Sequence, residues 1–420
     1  MPSRVLRRRA TTAFGIYGSA ALGFAATILA ARELSKEDFA RFALVFGVTS
    51  LLQLFVDLTI DEVVVKYGNR YAARAEWGRF HRLFRVGLAV KMAGGAAGTL
   101  AVVIAAVLAP WIWTTSGLRT PMLIASLIPV IQQPEGMGGA VLLVHNSYDL
   151  RALLLLWAMG LRVAAIAIGA AHGVTVLFAG VVVAQMISTA SVGGVALAVF
   201  RHYPAASPEA LAEDAPEIRR FAIQSTIASG LTSLRTSLPT VLVGIVSTPA
   251  QTANFRAAQA PATASASLSA PARLVLLAEQ TRDVEHGRSD RAFALLGRYI
   301  ASTAVIACVV TPILWWWMPT LVRWVYKPKY LPAVDAFRVM LLAAMVQLVF
   351  AWTKSFPVSI GRPGLRTLGQ VLEIAVLVPA VLLLANLYGA TGAAGGVLAG
   401  AVALALFWTI GLAGLRREAA

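Results

Sequence analysis

Apolar stretches of roughly 20 residues recur from one end of the chain to the other, each long enough to cross a hydrocarbon layer of about 30 Å as a helix. No other feature restricts the fold as tightly. Lipid offers no hydrogen bonds to an open backbone, so such segments must satisfy their own N–H and C=O groups as helices. Hydropathy and length place about twelve of them, near 11–31, 40–64, 84–110, 121–145, 151–171, 174–200, 221–246, 253–277, 293–318, 333–357, 366–387 and 392–414. Only 13% of the 420 residues are charged against 58% apolar, too few to clothe a water-soluble surface. The expected fold is an all-α polytopic membrane protein, with about 12 transmembrane helices in two pseudo-symmetric six-helix lobes around a central cavity.

The net charge of +16 invites a nucleic-acid reading. Topology accounts for it better. With the N-terminus inside, roughly 24 of the basic residues fall on the cytoplasmic side, about 8 outside and about 4 within spans. No nucleic-acid partner is expected. Arg4, Arg7, Arg8 and Arg9 precede the first apolar run, which is too long for a secretion signal and reads as an uncleaved span. Both termini are then expected to be cytoplasmic. The single cysteine, Cys308, and the five scattered histidines supply neither a disulfide framework nor a metal-ligand spacing, so no metal and no cofactor are expected.

The loop "RHYPAASPEALAEDAPEIRR", residues 201–220, divides the chain. It separates an N-terminal lobe (1–206) from a C-terminal lobe (219–420), with 207–218 as the cytoplasmic linker. Each half begins with basic residues and a helix on the same side, as parallel repeats of a transporter would. Ser35 with Asp38 forms a capping-box pattern at the start of the second span, and Ser247 with Pro249 marks the start of the eighth. Trp111, Trp113, Trp315, Trp316, Trp317, Trp324 and Tyr326 lie at expected outer ends, where amphipathic rings form an interfacial belt. Many spans contain proline, which favours bent helices around a cavity.

Helical periodicity assigns faces. In the seventh span Ser225, Ser229, Thr232, Arg235 and Pro239 share one face, opposite Ile227, Leu231, Leu234, Leu238 and Leu242. The eighth repeats the pattern with Arg256, Gln259, Thr263 and Ser267, and the second with Ser50, Gln53, Asp57 and Asp61. A stripe of small residues on the first span, including Gly15 and Gly23, either packs closely or lines a space. An arginine at mid-bilayer costs about 3 kcal/mol on insertion scales. Arg235 has no acid within a turn or two. It either pairs with Asp57, Glu135 or Glu373 on another span, or meets an anionic substrate in a wet cavity. The guanidinium fork matches phosphate oxygens. The candidate substrate-binding set is Arg235, Arg256, Gln259, Thr232, Gln53, Asp57 and Arg162. Arg162 and Lys91 are intramembrane cations without an accompanying polar stripe.

"ILAARELSKEDFARFALVFGVTSLLQLFVDL" resembles the opening of the bacterial polysaccharide or O-antigen (Wzx-like) flippases, within the multidrug/oligosaccharidyl-lipid/polysaccharide exporter superfamily. The matching elements are Arg32, Leu34, Glu37, Asp38, Phe39 and Asp57–Leu58. "VLVGIVSTPAQTANFRAA", "LVRWVYKPKYLPAVDAFRVMLLA" and "LYGATGAAGGVLAGAV" are similar to later stretches of the same family. The chain departs from its pattern at Thr59, at Pro239–Thr240 and in "YKPKY". The resemblance implies alternating access that turns a polyprenyl-pyrophosphate-linked oligosaccharide from the cytoplasmic to the outer leaflet, for cell-surface polysaccharide such as lipopolysaccharide O-antigen or exopolysaccharide. Its partners would be that lipid-linked oligosaccharide, the membrane, a glycan polymerase and other assembly proteins. No phosphate-binding Gly-Lys-Ser/Thr loop is present to power it by ATP. The competing transporters are a multidrug exporter, whose cavity should carry acids, and a lipid II flippase, which needs about two more spans. A membrane-embedded polymerase or ligase would need a large outer loop with catalytic groups, and the outer loops here are short. The chain is therefore expected not to be an enzyme.

Overall fold

The computed structural model describes residues 2–56, 59–268, 276, 279–284, 286, 288–354, 356–360, 362 and 364–419. Every regular element among them is helical. In chain order these are α1 (Pro2–Glu33), α2 (Lys36–Val56), α3 (Ile60–Ala73), α4 (Trp77–Ile112), α5 (Arg119–Ala125), α6 (Ile128–Ile131), α7 (Gln133–Val144), α8 (Tyr148–Ala170) and α9 (Val174–Phe200). They continue with α10 (Ala215–Val246), α11 (Pro249–Leu268), α12 (Ser289–Tyr326), α13 (Val334–Val349), α14 (Phe356–Ser359) and α15 (Gly364–Ala419). Eight stretches of the described residues are long and apolar enough to cross a membrane. The last of these, Gly364–Arg416, is two helices joined at Gly389, whose φ of 58° and ψ of −133° are non-helical. A straight helix of the 56 residues of α15 would be about 84 Å long, far more than one crossing needs. With α2, α10 and α11 as the remaining spans, the count matches the twelve expected. The protein is an all-α polytopic membrane protein.

The second span departs from its expected form. Instead of one helix over 40–64, α2 stops at Val56 and α3 starts at Ile60. Asp61 therefore sits on a separate helix from Ser50 and Gln53, and the stripe drawn through them is interrupted. Asp57 lies outside the described residues. The Ser35 capping box is present: the Asp38 N–H donates to Ser35 Oγ at 3.0 Å, and that hydroxyl donates to Asp38 Oδ2 at 3.0 Å. At α11 the starting residue is Thr248, not Ser247. The Gln251 N–H points to Thr248 Oγ1 at 3.4 Å, whereas the Ser247 hydroxyl donates to the Ala385 carbonyl.

Two compact units result. The first comprises Met1–Leu34, Leu44–Ile112 and Ser116–Ser237. Ile60, Val63, Val64, Tyr67 and Tyr71 recur at helical spacing on α3 and bury against Phe80, Leu83 and Phe84 of α4 and Met137, Val141 and Val144 of α7. Much of this cluster surrounds the 66–82 stretch that the sequence places outside the hydrocarbon. There the alternative to burial is water, and each large side chain contributes about 1.5–3 kcal/mol. Deeper contacts rely on close fit, because lipid is as apolar as leucine. On α1, Gly15 of the small-residue stripe and Gly18 beside it serve this purpose: a Cβ on Gly15 would lie 2.7 Å from Ala152 Cβ, and one on Gly18 2.6 Å from Leu156 Cδ2, whereas one on Gly23 would meet Met159 Sδ only at 3.8 Å.

The second unit comprises Ser35–Ala43, Trp113–Thr115 and Leu238–Ala420. Phe39 packs edge-on against Tyr330, and Tyr326 against Phe337. Trp352 donates Nε1–H to Thr303 Oγ1 at 2.8 Å inside a cluster with Leu276, Leu296 and Phe356. The aromatic belt is thinner than the sequence implies. Trp111, Trp316, Trp317 and Trp324 are exposed, but Trp113 and Tyr326 are buried and belong to the packing.

Candidate functional site

A cavity of about 560 Å³ opens inside the first unit, among α3, α4, α7, α8 and α9. Its size is typical of ligand pockets. The segment 119–144 builds one wall because it is not one helix but three, α5, α6 and α7. Pro129 and Pro134 lack the N–H that a continuous helix would use. The Gln133 side chain reaches back instead, donating Nε2–H to the Pro129 carbonyl at 2.8 Å. This break aims Gln132, Gln133 and Glu135 at the cavity. Irregular backbone at membrane depth is tolerated where it lines such a space. Asp61 and Val65, one turn apart on α3, line the opposite side beside Glu62 and Lys66, next to the face that packs the core.

Several of the charges lining this cavity are engaged by neighbouring side chains. Lys91 of α4 is nearly fully buried, and its Nζ lies 2.8 and 2.9 Å from the two Asp61 carboxylate oxygens. Gly136 makes room for that pair: a Cβ there would sit 2.7 Å from Asp61 Oδ2 and 2.9 Å from Lys91 Nζ. Arg162 of α8 donates from Nη2 to Gln185 Oε1 at 3.1 Å. Gln185 in turn donates Nε2–H to Glu135 Oε2, which also receives the Thr189 hydroxyl. The amide thus relays between a guanidinium and a carboxylate. Arg151, in the first turn of α8, lines the same cavity.

Of the candidate residues, Arg162 lines this cavity. Gln53, Thr232 and Arg235 are half-buried on α2 and α10 of the same unit and are not among its lining residues. In the second unit Arg256 and Gln259 come together: Arg256 Nη1 and Thr240 Oγ1 both donate to Gln259 Oε1 at 2.9 Å. Gln259 and Thr240 are buried there. Sequence reasoning named Lys91 and Glu135 as intramembrane charges but did not group them with Asp61, Gln185 and Arg151. Their partners lie on other helices, and periodicity reads one helix at a time. The usable signal was residue type, since an ionisable group within a span marks function by default.

A second polar network ties the 207–218 stretch to α3 and α4. Arg70 holds Glu217 through two bonds, Nη1 at 3.0 Å and Nη2 at 3.1 Å. Tyr71 donates its hydroxyl to Asp214 at 2.7 Å, Arg79 pairs with Glu213 at 3.0 Å, and the Glu209 N–H donates to the Gly78 carbonyl. Nearby, Ser225 of α10 donates to Glu62 of α3, and Thr226 accepts the Thr59 N–H at 3.1 Å. Hydrogen bonds from Arg70 and then Tyr67 hold the Glu217 carboxyl down at about 2. Burial, followed by the bond to Glu217, pushes Tyr67 up to about 12.

Residues 5–277 match the family described as polysaccharide biosynthesis protein. No protein of curated function matches the sequence significantly. The fold is similar to that of a multidrug resistance MATE family transporter of the MOP superfamily in its inward-facing conformation, with a TM-score of 0.76 at 13% identity, covering 97% of this chain and 96% of that one. It is also similar to the lipid II flippase MurJ in an inward closed conformation, with a TM-score of 0.72 at 13% identity over 95% of this chain and 87% of that one. A MOP superfamily transporter from Pyrococcus furiosus, described as having a binding pocket of reverse polarity, matches with a TM-score of 0.60 at 13% identity over 99% and 95%.

Proposed function

The chain belongs to the polysaccharide biosynthesis protein family, and from that premise we propose that it flips a polyprenyl-pyrophosphate-linked oligosaccharide from the cytoplasmic to the outer leaflet by alternating access. One observation supports this most: a cavity of about 560 Å³ among apolar helices carries Arg162, Arg151 and Lys91 together with amide and hydroxyl groups. A purely structural helix bundle would fill that volume with apolar side chains at lower cost. Guanidinium groups suit the pyrophosphate, and Gln132, Gln133 and Gln185 offer the hydrogen bonds that a sugar needs. Each unit brings its own cationic contact, Arg162 in the first and Arg256 beside Gln259 in the second. Arg235, with Thr232, Gln53 and Asp57, completes the proposed substrate-binding set. The reaction is movement, not bond making, so the chain acts as a transporter and not as an enzyme. It works in the inner membrane with both termini cytoplasmic, and it hands its cargo to a glycan polymerase and other assembly proteins on the far side.

A multidrug or lipid II exporter is the competing reading, since relatives of this fold carry those names. Cationic drugs favour a cavity of uncompensated acids, and here Asp61 and Glu135 are already bonded. Deletion of the gene separates these cases. The expected result is a lipid-linked glycan accumulating on the cytoplasmic leaflet and a loss of surface polysaccharide. Unchanged surface glycan with no accumulated intermediate rejects the proposal.

A further inference from the structure

We propose that the outer end of α12 and the turn that follows it, Pro328–Ala333, form a binding site for an acidic saccharide. The claim rests on the flippase reading for the side of the membrane this end faces, though not for the existence of the patch. Arg323, Lys327 and Lys329 fall within seven residues, and no Asp or Glu occurs between Asp290 and Asp335. Short loops on the outer side are ordinarily poor in Lys and Arg. This one concentrates them. Asp335, the next acid in the chain, pairs with Arg338 at 3.3 Å. Lys36, at the start of α2 and within the same unit, adds a fourth cation. Of the acids beside it, Asp38 pairs with Arg41 at 2.7 Å and Glu37 is exposed, so the patch keeps a net positive charge. The Nζ atoms of Lys36 and Lys329 lie 5.7 and 5.6 Å from the centroid of the Tyr330 ring. Two like charges are thus gathered on one ring, which Phe39 and Tyr326 meet edge-on.

The backbone singles out Lys327. Its φ of 72° and ψ of 161° lie in a region that glycine enters freely and other residues enter at a cost. A lysine kept in that conformation indicates that the ammonium itself is needed there. Reach and shape select the ligand. α12 rises about 39 Å from Arg298 to Trp324, against about 30 Å of hydrocarbon. With Arg298 at the inner edge, Trp324 stands about 9 Å past the acyl region. There it is 78% exposed, and Arg323 beside it is exposed too. An indole beyond the acyl chains has no hydrocarbon to contact. Its flat face suits the C–H face of a pyranose ring. Ring stacking beside a row of cations matches a sugar chain that bears carboxylates. It matches a phospholipid headgroup less well, because that offers no flat apolar face.

The test uses the purified full-length chain in detergent and isothermal titration calorimetry. The probes are an oligogalacturonate, a maltooligosaccharide of equal length and short-chain phosphatidylglycerol. The oligogalacturonate should bind saturably, roughly tenfold or more tighter than the neutral chain, and weaken as salt rises. Lys327→Gly should weaken it roughly tenfold and raise the thermal midpoint, because it removes the charge and relaxes the backbone. A merely structural lysine would give the second change without the first. Trp324→Ala should weaken the acidic chain by loss of stacking. Arg201→Gln, which removes an exposed charge at the end of α9, should bind as the wild type does. If Lys327→Gly does not purify as a folded protein, Arg323→Gln carries the comparison. Equal affinity for the two saccharides, wild-type affinity in the variant that carries the comparison, or binding of phosphatidylglycerol alone through these residues overturns the proposal. A gene deletion that accumulates lipid-linked glycan, for a chain with no preference for the acidic probe, keeps the flippase reading and rejects this site. That preference in a chain whose deletion leaves surface glycan intact keeps the site and rejects the flippase reading.

Discussion

Two cations of the first unit differ in what surrounds them, and their substitutions should differ accordingly. Lys91 is buried and held by Asp61. Asp61→Asn removes the carboxylate that meets the Lys91 ammonium in a largely buried position, and breaking a buried pair costs about 3 kcal/mol. The Asp61 side chain keeps some exposure, so water offsets part of that. We expect a lower thermal midpoint for Asp61→Asn, largely restored by adding Lys91→Met, in a double-mutant cycle read by fluorescence-detected gel filtration. Equal midpoints for the single and double variants would show that the pair does not hold the wall. Gly136→Ala should resemble Asp61→Asn, since its methyl group would intrude on both charged partners. For Arg235 the expected role is in the transport step instead. Arg235→Ala should abolish export while leaving the folded yield unchanged, and Arg235→Lys should restore it in part. Normal export by Arg235→Ala would remove it from the substrate path.

Broken and bent helices are the elements on which sequence and structure part company. Periodicity located α8 and α9 well, because a continuous helix repeats its pattern. It read 121–145 and 40–64 as single rods. In the first, Pro129 and Pro134 were visible, but a proline within a span can either kink it or break it, and the outcome depends on packing against α4 and α9. There Gly95 allows the α4 backbone within contact of Val130 and Pro129. The site was less readable than the fold for the same reason: Asp61, Lys91, Glu135 and Arg151 come from four helices, and no single-helix pattern relates them. The turn at Gly389 was readable as a loop between spans. Its detail was not: the Ala390 N–H donates to Gln251 Oε1 at 2.9 Å, so a side chain from α11 caps the break. A Cβ on Gly389 would meet that same amide at 2.6 Å, at a positive φ. Gly389→Ala should therefore destabilise by about 1–3 kcal/mol, measured as a lower midpoint, and Gln251→Ala should cost less because it leaves the backbone relaxed.

At the scale of the whole chain, charge asymmetry predicts which side each loop faces. A fluorescent reporter fused after Ala420 should fold and fluoresce, and alkaline phosphatase fused there should be inactive. The opposite pattern would invert the assigned topology. The 207–218 stretch should stay docked on α3 and α4 across neutral pH. The Glu217 carboxyl is held down, so its contribution is complete above its unfolded value near 4.5 and is lost only as pH falls toward about 2. Salt is the effective perturbant, because these pairs are exposed and screened within about 10 Å at 0.1 M. Limited proteolysis of 204–212 should therefore accelerate in high salt and in Arg70→Gln, and stay flat between pH 5.5 and 8. The three-piece segment 119–144 has one more consequence, which concerns manufacture. Half of its most apolar stretch is buried inside the protein, a larger share than for any other candidate span. A jointed rod with half of that stretch turned inward offers less surface to acyl chains than the other candidate spans. We expect it to settle only once α4, α8 and α9 are in place, so that the wall around Glu135 closes late in the biogenesis of this half.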